Sequence, residues 1–93
     1  MTERVAIELK RLDRFKGYAR LYRVNPPLDG HEYVIVSATV VPWSGPETYI
    51  FAADVSGAVT SWDELDGSYR GGLSHTKALQ NAGYVRVKEE VAK

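Results

Sequence analysis

The chain contains no cysteine, which excludes disulfides, thiolate metal sites and cysteine nucleophiles together. It also has no long apolar run, since the longest, residues 33–41, is far shorter than the about 20 residues that a membrane-spanning helix needs. No basic and apolar leader follows Met1, so the sequence predicts a cytoplasmic protein without a secretory signal. Its 93 residues suit one domain, residues 1–93, which must be stabilised by its core alone.

Lysine and arginine are absent from residues 24–67, which carry a net charge of −7. Residues 1–23 have a net charge of +4 and residues 68–93 a net charge of +3, so the whole chain is neutral. This balance lacks the basic excess of a dedicated nucleic-acid-binding domain. If the fold keeps these blocks apart, the surface is bipolar and favours charged partners or self-association, including a homodimer. If strand pairing brings positive and negative residues together, the charges only keep the surface hydrated.

The N-terminal segment alternates, with Val5, Ile7 and Leu9 on one side, and this pattern predicts a strand. Val5, Leu9 and Leu12 also fit a helical spacing, so residues 4–14 are open to both interpretations. As a strand, the segment would pair with the next part of the chain in a hairpin.

Residues 18–24 form a second alternating segment, which a turn at residues 13–17 joins to the first. Asn25-Pro26-Pro27 is expected to end it, because proline has no amide donor and favours an extended residue before it. The two segments therefore predict an N-terminal β-hairpin.

Residues 32–41 carry the strongest strand pattern, because their β-branched and aromatic residues fall at both odd and even positions and would lie on both sides of a strand. A strand of this kind belongs at the centre of a sheet, where both of its faces are covered. Residues 48–54 alternate again after the connection Pro42 to Pro46 and predict a second hairpin.

Turn residues are frequent in the middle of the chain. Ser56-Gly57 predicts a turn, after which residues 58–60 form a short edge segment. Residues 61–64 fit the spacing of a capping box, S-x-x-E. Asp66-Gly67 limits any helix there to about one turn, so we expect a 3₁₀ turn.

A short helix is predicted after Ser74, a suitable N-cap, and Gly83 would end it in a left-handed conformation. Residues 85–87 predict a last strand before a frayed tail, residues 88–93. The elements together predict an α+β fold: a mainly antiparallel sheet of four to five strands with one short C-terminal helix packed on one face. The order of the strands stays open.

A basic and aromatic segment, residues 14–23, indicates nucleic-acid binding, because aromatic rings stack on bases while cations hold phosphates. Residues 16–19 match the first positions of the RNA-recognition octapeptide, but Arg20 and Arg23 stand where aromatics are required. The alternative is that the tyrosines lie on a half-exposed face of the sheet and are covered by the aliphatic parts of the arginine side chains. The residues of the nucleic-acid hypothesis are Lys16, Tyr18, Arg20, Tyr22 and Arg23.

A glycine-containing loop before the helix offers an anion site, because backbone amides and the helix dipole favour negative charge there. No Gly-Lys-Ser or Gly-Lys-Thr follows, so the loop is not a P-loop. Ordinary loop geometry with a serine cap is the alternative. The residues of the anion hypothesis are Arg70, Gly71, Gly72, Ser74 and Lys77.

Catalytic and metal-binding motifs are missing. His31 and His75 have no second ligand at a metal-binding spacing. Ser74 cannot use His75 as its base, since adjacent residues do not face each other on a helix. The acidic group at residues 63–66 has nothing near it in sequence to raise a carboxyl pKa. We therefore predict a protein that is not an enzyme and uses no metal or cofactor.

Two tryptophans lie in or beside loops, where a large aromatic is either a plug over the sheet or an exposed anchor for a partner. Trp43 lies between Pro42 and Pro46 in a stiff loop with little around it to bury an indole. Both interpretations therefore stay open for Trp43. Trp62 lies ahead of Leu65, and we expect it to be buried.

Residues 47–84 contain a set of positions that matches a known group of small proteins. The matching positions are Glu47 to Asp54, Gly57, Trp62, Glu64-Leu65, Gly67 to Gly72, Ala78-Leu79 and Ala82 to Tyr84. In these positions the chain resembles small uncharacterised proteins encoded by bacteriophages of actinobacteria. The resemblance implies an accessory protein made inside a bacterial host, where small phage proteins often bind a host protein. It implies no catalytic activity.

Our leading hypothesis is a small cytoplasmic protein-interaction module that binds a protein partner, which the resemblance makes a host protein. An exposed sheet edge or the Trp43 loop would make the contact, and we expect Trp43, Arg20 and Tyr22 to contribute. The alternative is a small nucleic-acid-binding domain that uses residues 14–23.

Overall fold

A computed structural model describes residues 4–12, 18–43 and 45–88. Within these ranges the elements are β1 (Val5–Arg11), β2 (Tyr18–Leu28), β3 (His31–Val41), β4 (Gly45–Ala53), β5 (Val59–Ser61), β6 (Tyr69–Arg70), α1 (His75–Asn81) and β7 (Val85–Lys88). The fold is α+β, with a mostly antiparallel sheet and one short helix, as the sequence predicted. The predicted count of four to five strands is wrong, because the short β6 and the C-terminal β7 also join the sheet.

The strands lie in the order β5-β4-β3-β2-β1-β7, and β6 also pairs with β4. β1 pairs antiparallel with β2 and parallel with β7, so the sheet is mixed. Because β1 has a neighbour on each side, an extended backbone satisfies the hydrogen-bonding groups of both its edges. The choice between strand and helix is therefore decided in favour of a strand over Val5–Arg11.

β2 continues through Asn25-Pro26-Pro27, where the sequence predicted its end. Asn25 still pairs with Val5 of β1, whereas the pairing with β3 is interrupted between Arg23 and Leu28. The prolines lie in this interruption, so their missing amide donors remove no bond from the β2–β3 ladder.

β3 lies between β2 and β4, which confirms its predicted place at the centre of the sheet. The side chains of Val34, Ile35 and Val36 are all buried, so both faces of this strand are covered. The β3–β4 hairpin extends from the Tyr33–Ala53 pair to the Val41–Gly45 pair, as predicted.

The two faces of the sheet differ in what covers them. The helix face packs against α1, and its buried core consists of Ala6, Tyr22, Val24, Leu28, Val34, Val36, Ile50, Ala78, Leu79 and Tyr84. The opposite face, here called the open face, has a smaller buried core that consists of Leu12, Ala19, Leu21, Ile35 and Ala53. Leu9 of β1 and Val59 of β5 both pack on this smaller core, so the sheet curls toward its open face.

Helix α1 begins and ends as predicted. Ser74 is the N-cap, and its Oγ accepts a hydrogen bond from the Lys77 amide at 3.1 Å. Gly83 follows the helix with a φ of 96°, and the buried Ala78 and Leu79 hold the helix on the sheet. No helix in the described part of the chain is long and apolar enough to cross a membrane.

The segment after β5 contains no 3₁₀ turn, contrary to the prediction. Ser61 is the last residue of β5, and its Oγ accepts a hydrogen bond from the Asp63 amide at 3.3 Å. Serine side chains compete in this way with helical backbone bonds, so the chain bends instead of winding. The predicted turn at residues 13–17 and the tail beyond Lys88 lie outside the described residues.

Candidate functional site

The tip of the β3–β4 hairpin exposes large apolar side chains. Trp43 is fully exposed, and Val40 is 63% exposed. Pro42 and Pro46 flank the tip and restrict its backbone, because each proline ring holds φ near one value. Trp43 is therefore not a plug over the sheet but an indole presented to solvent.

Trp43 also has an unusual backbone conformation. Its φ is 79°, in the left-handed region that a bulky residue rarely adopts. Such a conformation costs about 1–3 kcal/mol and occurs preferentially at binding sites and other functional positions. The turn thus holds the indole outward at an energetic cost, which indicates a contact residue rather than a stabilising one.

The hairpin behind the tip is held firmly. The Gly71 amide donates to the Pro46 carbonyl at 2.8 Å, and the Thr48 hydroxyl donates to the Gly72 carbonyl at 2.8 Å. β6 pairs with β4 in the same region, while β3 pairs with it on the other side. Trp43 is therefore presented from a rigid support.

Two residues of β2 that we expected to contact a partner point into the helix face instead. Tyr22 is completely buried, and its hydroxyl lies 3.0 Å from Nδ1 of His75. The Arg20 side chain is only 18% exposed and forms an ion pair with Glu8. The prediction that Tyr22 contacts a partner is wrong, because strand alternation turns it toward α1, where it is buried. Arg20 points the same way and is held by Glu8, and its contact with a partner stays a prediction.

Arg20 and Tyr22 belong to a polar network beneath α1. Glu8 lies at its centre and accepts hydrogen bonds from Arg20 Nη1 and from Arg86 Nη2, the latter at 2.9 Å. Arg86 also donates to the hydroxyl of Thr76 on α1 at 3.2 Å. The network therefore joins β1, β2 and β7 to the helix. The two positive charges of its guanidinium groups exceed the single negative charge of Glu8 by one.

Burial sets the charge states of this network. Desolvation lowers the pKa of His75 to about 4, and the positive charges of Arg86 and Arg20 act in the same direction. Burial raises the pKa of Tyr22 to about 12. Burial alone would raise the pKa of Glu8, but its bonds to Arg86 and Arg20 outweigh burial and lower it. At neutral pH the network therefore contains a neutral imidazole, a neutral phenol and an ionised carboxylate.

The described part of the basic and aromatic segment does not form one surface. Arg20 and Tyr22 lie on the helix face, whereas Arg23 is exposed and pairs with Glu32 at 2.9 Å. Lys16 and the side chain of Tyr18 lie outside the described residues. Among the residues that are described, Arg20 and Tyr22 therefore point to one face of the sheet and Arg23 points to the other.

The loop before α1 uses its polar groups internally. The Ser74 hydroxyl caps the helix, and the Ser74 amide donates to the hydroxyl of Tyr69 at 3.0 Å. Lys77 Nζ lies 5.3 Å from the centre of the Tyr69 ring, whereas Arg70 Nε binds Glu47 at 3.1 Å. Tyr69 and Arg70 are adjacent in β6 and point to opposite faces. Arg70 and Lys77 are therefore separated, and the predicted anion site is not assembled.

The open face carries an aromatic row that the sequence analysis did not single out. Tyr49 and Phe51 of β4 stack with ring centres 5.8 Å apart, and Trp62 meets Phe51 edge-on at 5.3 Å. Trp62 is 66% exposed, so the prediction that it is buried is wrong. Leu65 packs on the helix-face core instead of sheltering Trp62. Alternation around the buried Ile50 was the available signal, since it places Tyr49 and Phe51 together on the other face.

A carboxylate lies at the end of this row nearest the hairpin tip. Glu47 is buried and accepts hydrogen bonds from the hydroxyl of Tyr49 and from Nε of Arg70. The bond to Glu47 raises the pKa of Tyr49. Contacts with Tyr49 and Glu47 raise the pKa of Arg70. The open face therefore contains one guanidinium bound to a carboxylate that also accepts a hydrogen bond from a tyrosine hydroxyl.

Residues 4–12, 18–43 and 45–88 contain no group of three or more histidine, aspartate or glutamate side chains placed to hold a metal ion. No family model, curated protein or solved structure matches the chain. The interpretation of function therefore depends on the geometry of the chain itself.

Proposed function

We propose that this protein is a protein-interaction module that inserts Trp43 into an apolar pocket of its partner. The observation that carries the proposal is the full exposure of the Trp43 indole, held at a φ of 79° on a supported hairpin. Tryptophan is among the residues most enriched at the energetic centres of protein interfaces. A rigid support also limits the conformational entropy that is lost on binding.

The surroundings of Trp43 favour an apolar pocket over a charged one. Residues 39–46 contain no charged residue, and the tip also exposes Val40. The resemblance of residues 47–84 to phage accessory proteins supports a bacterial host protein as the source of that pocket. Small phage proteins of this kind often act by binding a host protein.

A photo-crosslinking amino acid at position 43 tests the proposal in a bacterial lysate treated with nuclease. Val55 is the matched control position, because it is 67% exposed and lies in a different loop. We expect one protein to be crosslinked from position 43 and not from position 55. The same product from both positions would show that the tip is not the contact.

Affinity for the crosslinked protein provides the second measurement. We expect Trp43→Ala to weaken binding by about 30-fold, the loss of about 2 kcal/mol that defines an interface hot spot. Val55→Ala should leave the affinity unchanged. Equal binding by wild type and Trp43→Ala would refute the proposal, and capture that disappears with nuclease would favour the nucleic-acid alternative instead.

A further inference from the structure

We propose that the open face has a second binding surface, separate from Trp43, that takes a lysine- or arginine-rich segment of a partner protein. Its residues are Tyr49, Phe51, Trp62, Asp63 and Glu64, and we call it the acidic aromatic surface. It lies along β4 and the chain after β5, whereas Trp43 lies at the hairpin tip.

The rings of this surface are ordered before any partner binds. Tyr49 and Phe51 are nearly parallel, with an interplanar angle of 24°, and Trp62 lies at 68° to Phe51. Trp62 nevertheless keeps 66% of its surface exposed, so a partner can reach its ring. The negative faces of aromatic rings attract ammonium and guanidinium groups that come within about 6 Å.

Two carboxylates follow Trp62 directly in the chain. Asp63 and Glu64 are both exposed, and within the part of the chain that the structure describes neither forms an ion pair. The nearby Asp54 carboxylate is occupied, since it accepts hydrogen bonds from Ser56 and Ala58 in its own turn. No lysine or arginine occurs in residues 24–67 to neutralise Asp63 and Glu64 locally. Negative charge next to exposed rings is complementary to a basic segment.

One arginine of the chain already binds a carboxylate on this face. Arg70 binds Glu47 at 3.1 Å beside Tyr49, at one end of the aromatic row, and its side chain remains 69% exposed. The other end of the row offers the exposed ring of Trp62, which the exposed carboxylates of Asp63 and Glu64 follow in the chain. The carboxylates repel nucleic-acid phosphates, which argues against nucleic acid as the occupant.

The experiment uses the two tryptophans of the chain as separate reporters. Trp43→Phe leaves Trp62 as the only tryptophan, and Trp62→Phe leaves only Trp43. We would titrate both proteins with an alternating arginine-serine decapeptide and, as a charge control, with a glutamate-serine decapeptide. Trp62 emission should change and saturate with the arginine peptide only, whereas Trp43 emission should not change.

Neutralising the carboxylates gives the decisive comparison. In the Trp43→Phe protein, Asp63→Asn with Glu64→Gln should weaken binding about fivefold, and raising the salt from low to physiological concentration should weaken it further. Both residues are exposed, so circular dichroism should show unchanged folding. The proposal is overturned if Trp62 does not respond, if the neutralised variant binds equally, or if single-stranded DNA binds more tightly than the peptide. Self-association of the protein through Trp62 in sedimentation would also overturn it, because a second copy would then be the occupant.

Discussion

The two faces of the sheet use similar residues in opposite ways. On the helix face, Tyr22 and Arg20 are enclosed under α1 and bonded to His75 and Glu8. On the open face, the aromatic row ends in Trp62, which remains largely exposed. A polar group covered by a helix must find a partner within the protein, because its desolvation is costly otherwise. Exposure, and not composition, therefore separates the residues that hold the fold together from those that can bind a partner.

The largest expected difference between the faces concerns their aromatic residues. Tyr22→Ala should lower the free energy of unfolding by about 4 kcal/mol, because it leaves a cavity in the core and removes a buried hydrogen bond to His75. Trp62→Ala should lower it by about 1 kcal/mol or less, since most of the indole is exposed. Urea unfolding measures both values. Similar losses for the two variants would contradict the distinction between the faces.

The second largest difference in stability should concern the charged residues of the two faces. Glu8→Ala leaves Arg20 and Arg86, which are 18% and 21% exposed, without their shared counter-charge. We expect a loss of about 3 kcal/mol in the free energy of unfolding. The matched control is Glu32→Ala, whose exposed pair with Arg23 should contribute less than about 1 kcal/mol. A loss below about 1 kcal/mol for Glu8→Ala would show that the network is not a stabilising one.

Acid should destabilise the helix face through His75. Its pKa is about 4 in the folded protein and near its ordinary value of 6.5 in the unfolded chain. Between these values the unfolded chain binds a proton that the folded protein does not, so stability is present above pH 6.5 and is lost as the pH falls toward 4. The loss should be on the order of 3 kcal/mol, because each unit of pKa difference corresponds to about 1.4 kcal/mol.

Unfolding measured from pH 7 to pH 4 checks this window. His75→Gln should remove the part of the pH dependence that lies between pH 6.5 and 4, whereas His31→Gln should retain it. The difference between the wild-type and His75→Gln curves therefore measures the contribution of His75. Parallel curves for wild type and His75→Gln would contradict the assignment.

The smallest expected effect has the opposite sign. Trp43→Gly should raise the free energy of unfolding by about 1 kcal/mol, because glycine adopts the left-handed conformation without strain. Trp43→Ala should not raise it, since alanine retains the strain. Thermal unfolding measures the change, and both variants should lose partner binding. Trp43 would then be a residue that costs stability and provides contact, unlike any residue of the helix-face network.

Local patterns predicted much of the fold. Alternation over residues 18–24 and 32–41 identified strands, and Ser74 and Gly83 identified the ends of α1. The prolines on both sides of the loop were the reason to consider that Trp43 is exposed, and its side chain is exposed. The strand count and the parallel pairing of β7 with β1 could not be predicted, because they join segments separated by most of the chain.

The sequence by itself determined which residues share a side of a strand, since the two-residue period of an extended chain follows from its geometry. It did not determine which side would be covered. Tyr22 and Tyr49 both lie in alternating segments, yet Tyr22 is buried and Tyr49 lies on the open face. Only the tertiary structure decided this, because α1 has a single apolar stripe, Ala78 and Leu79, and can cover only one face of the sheet.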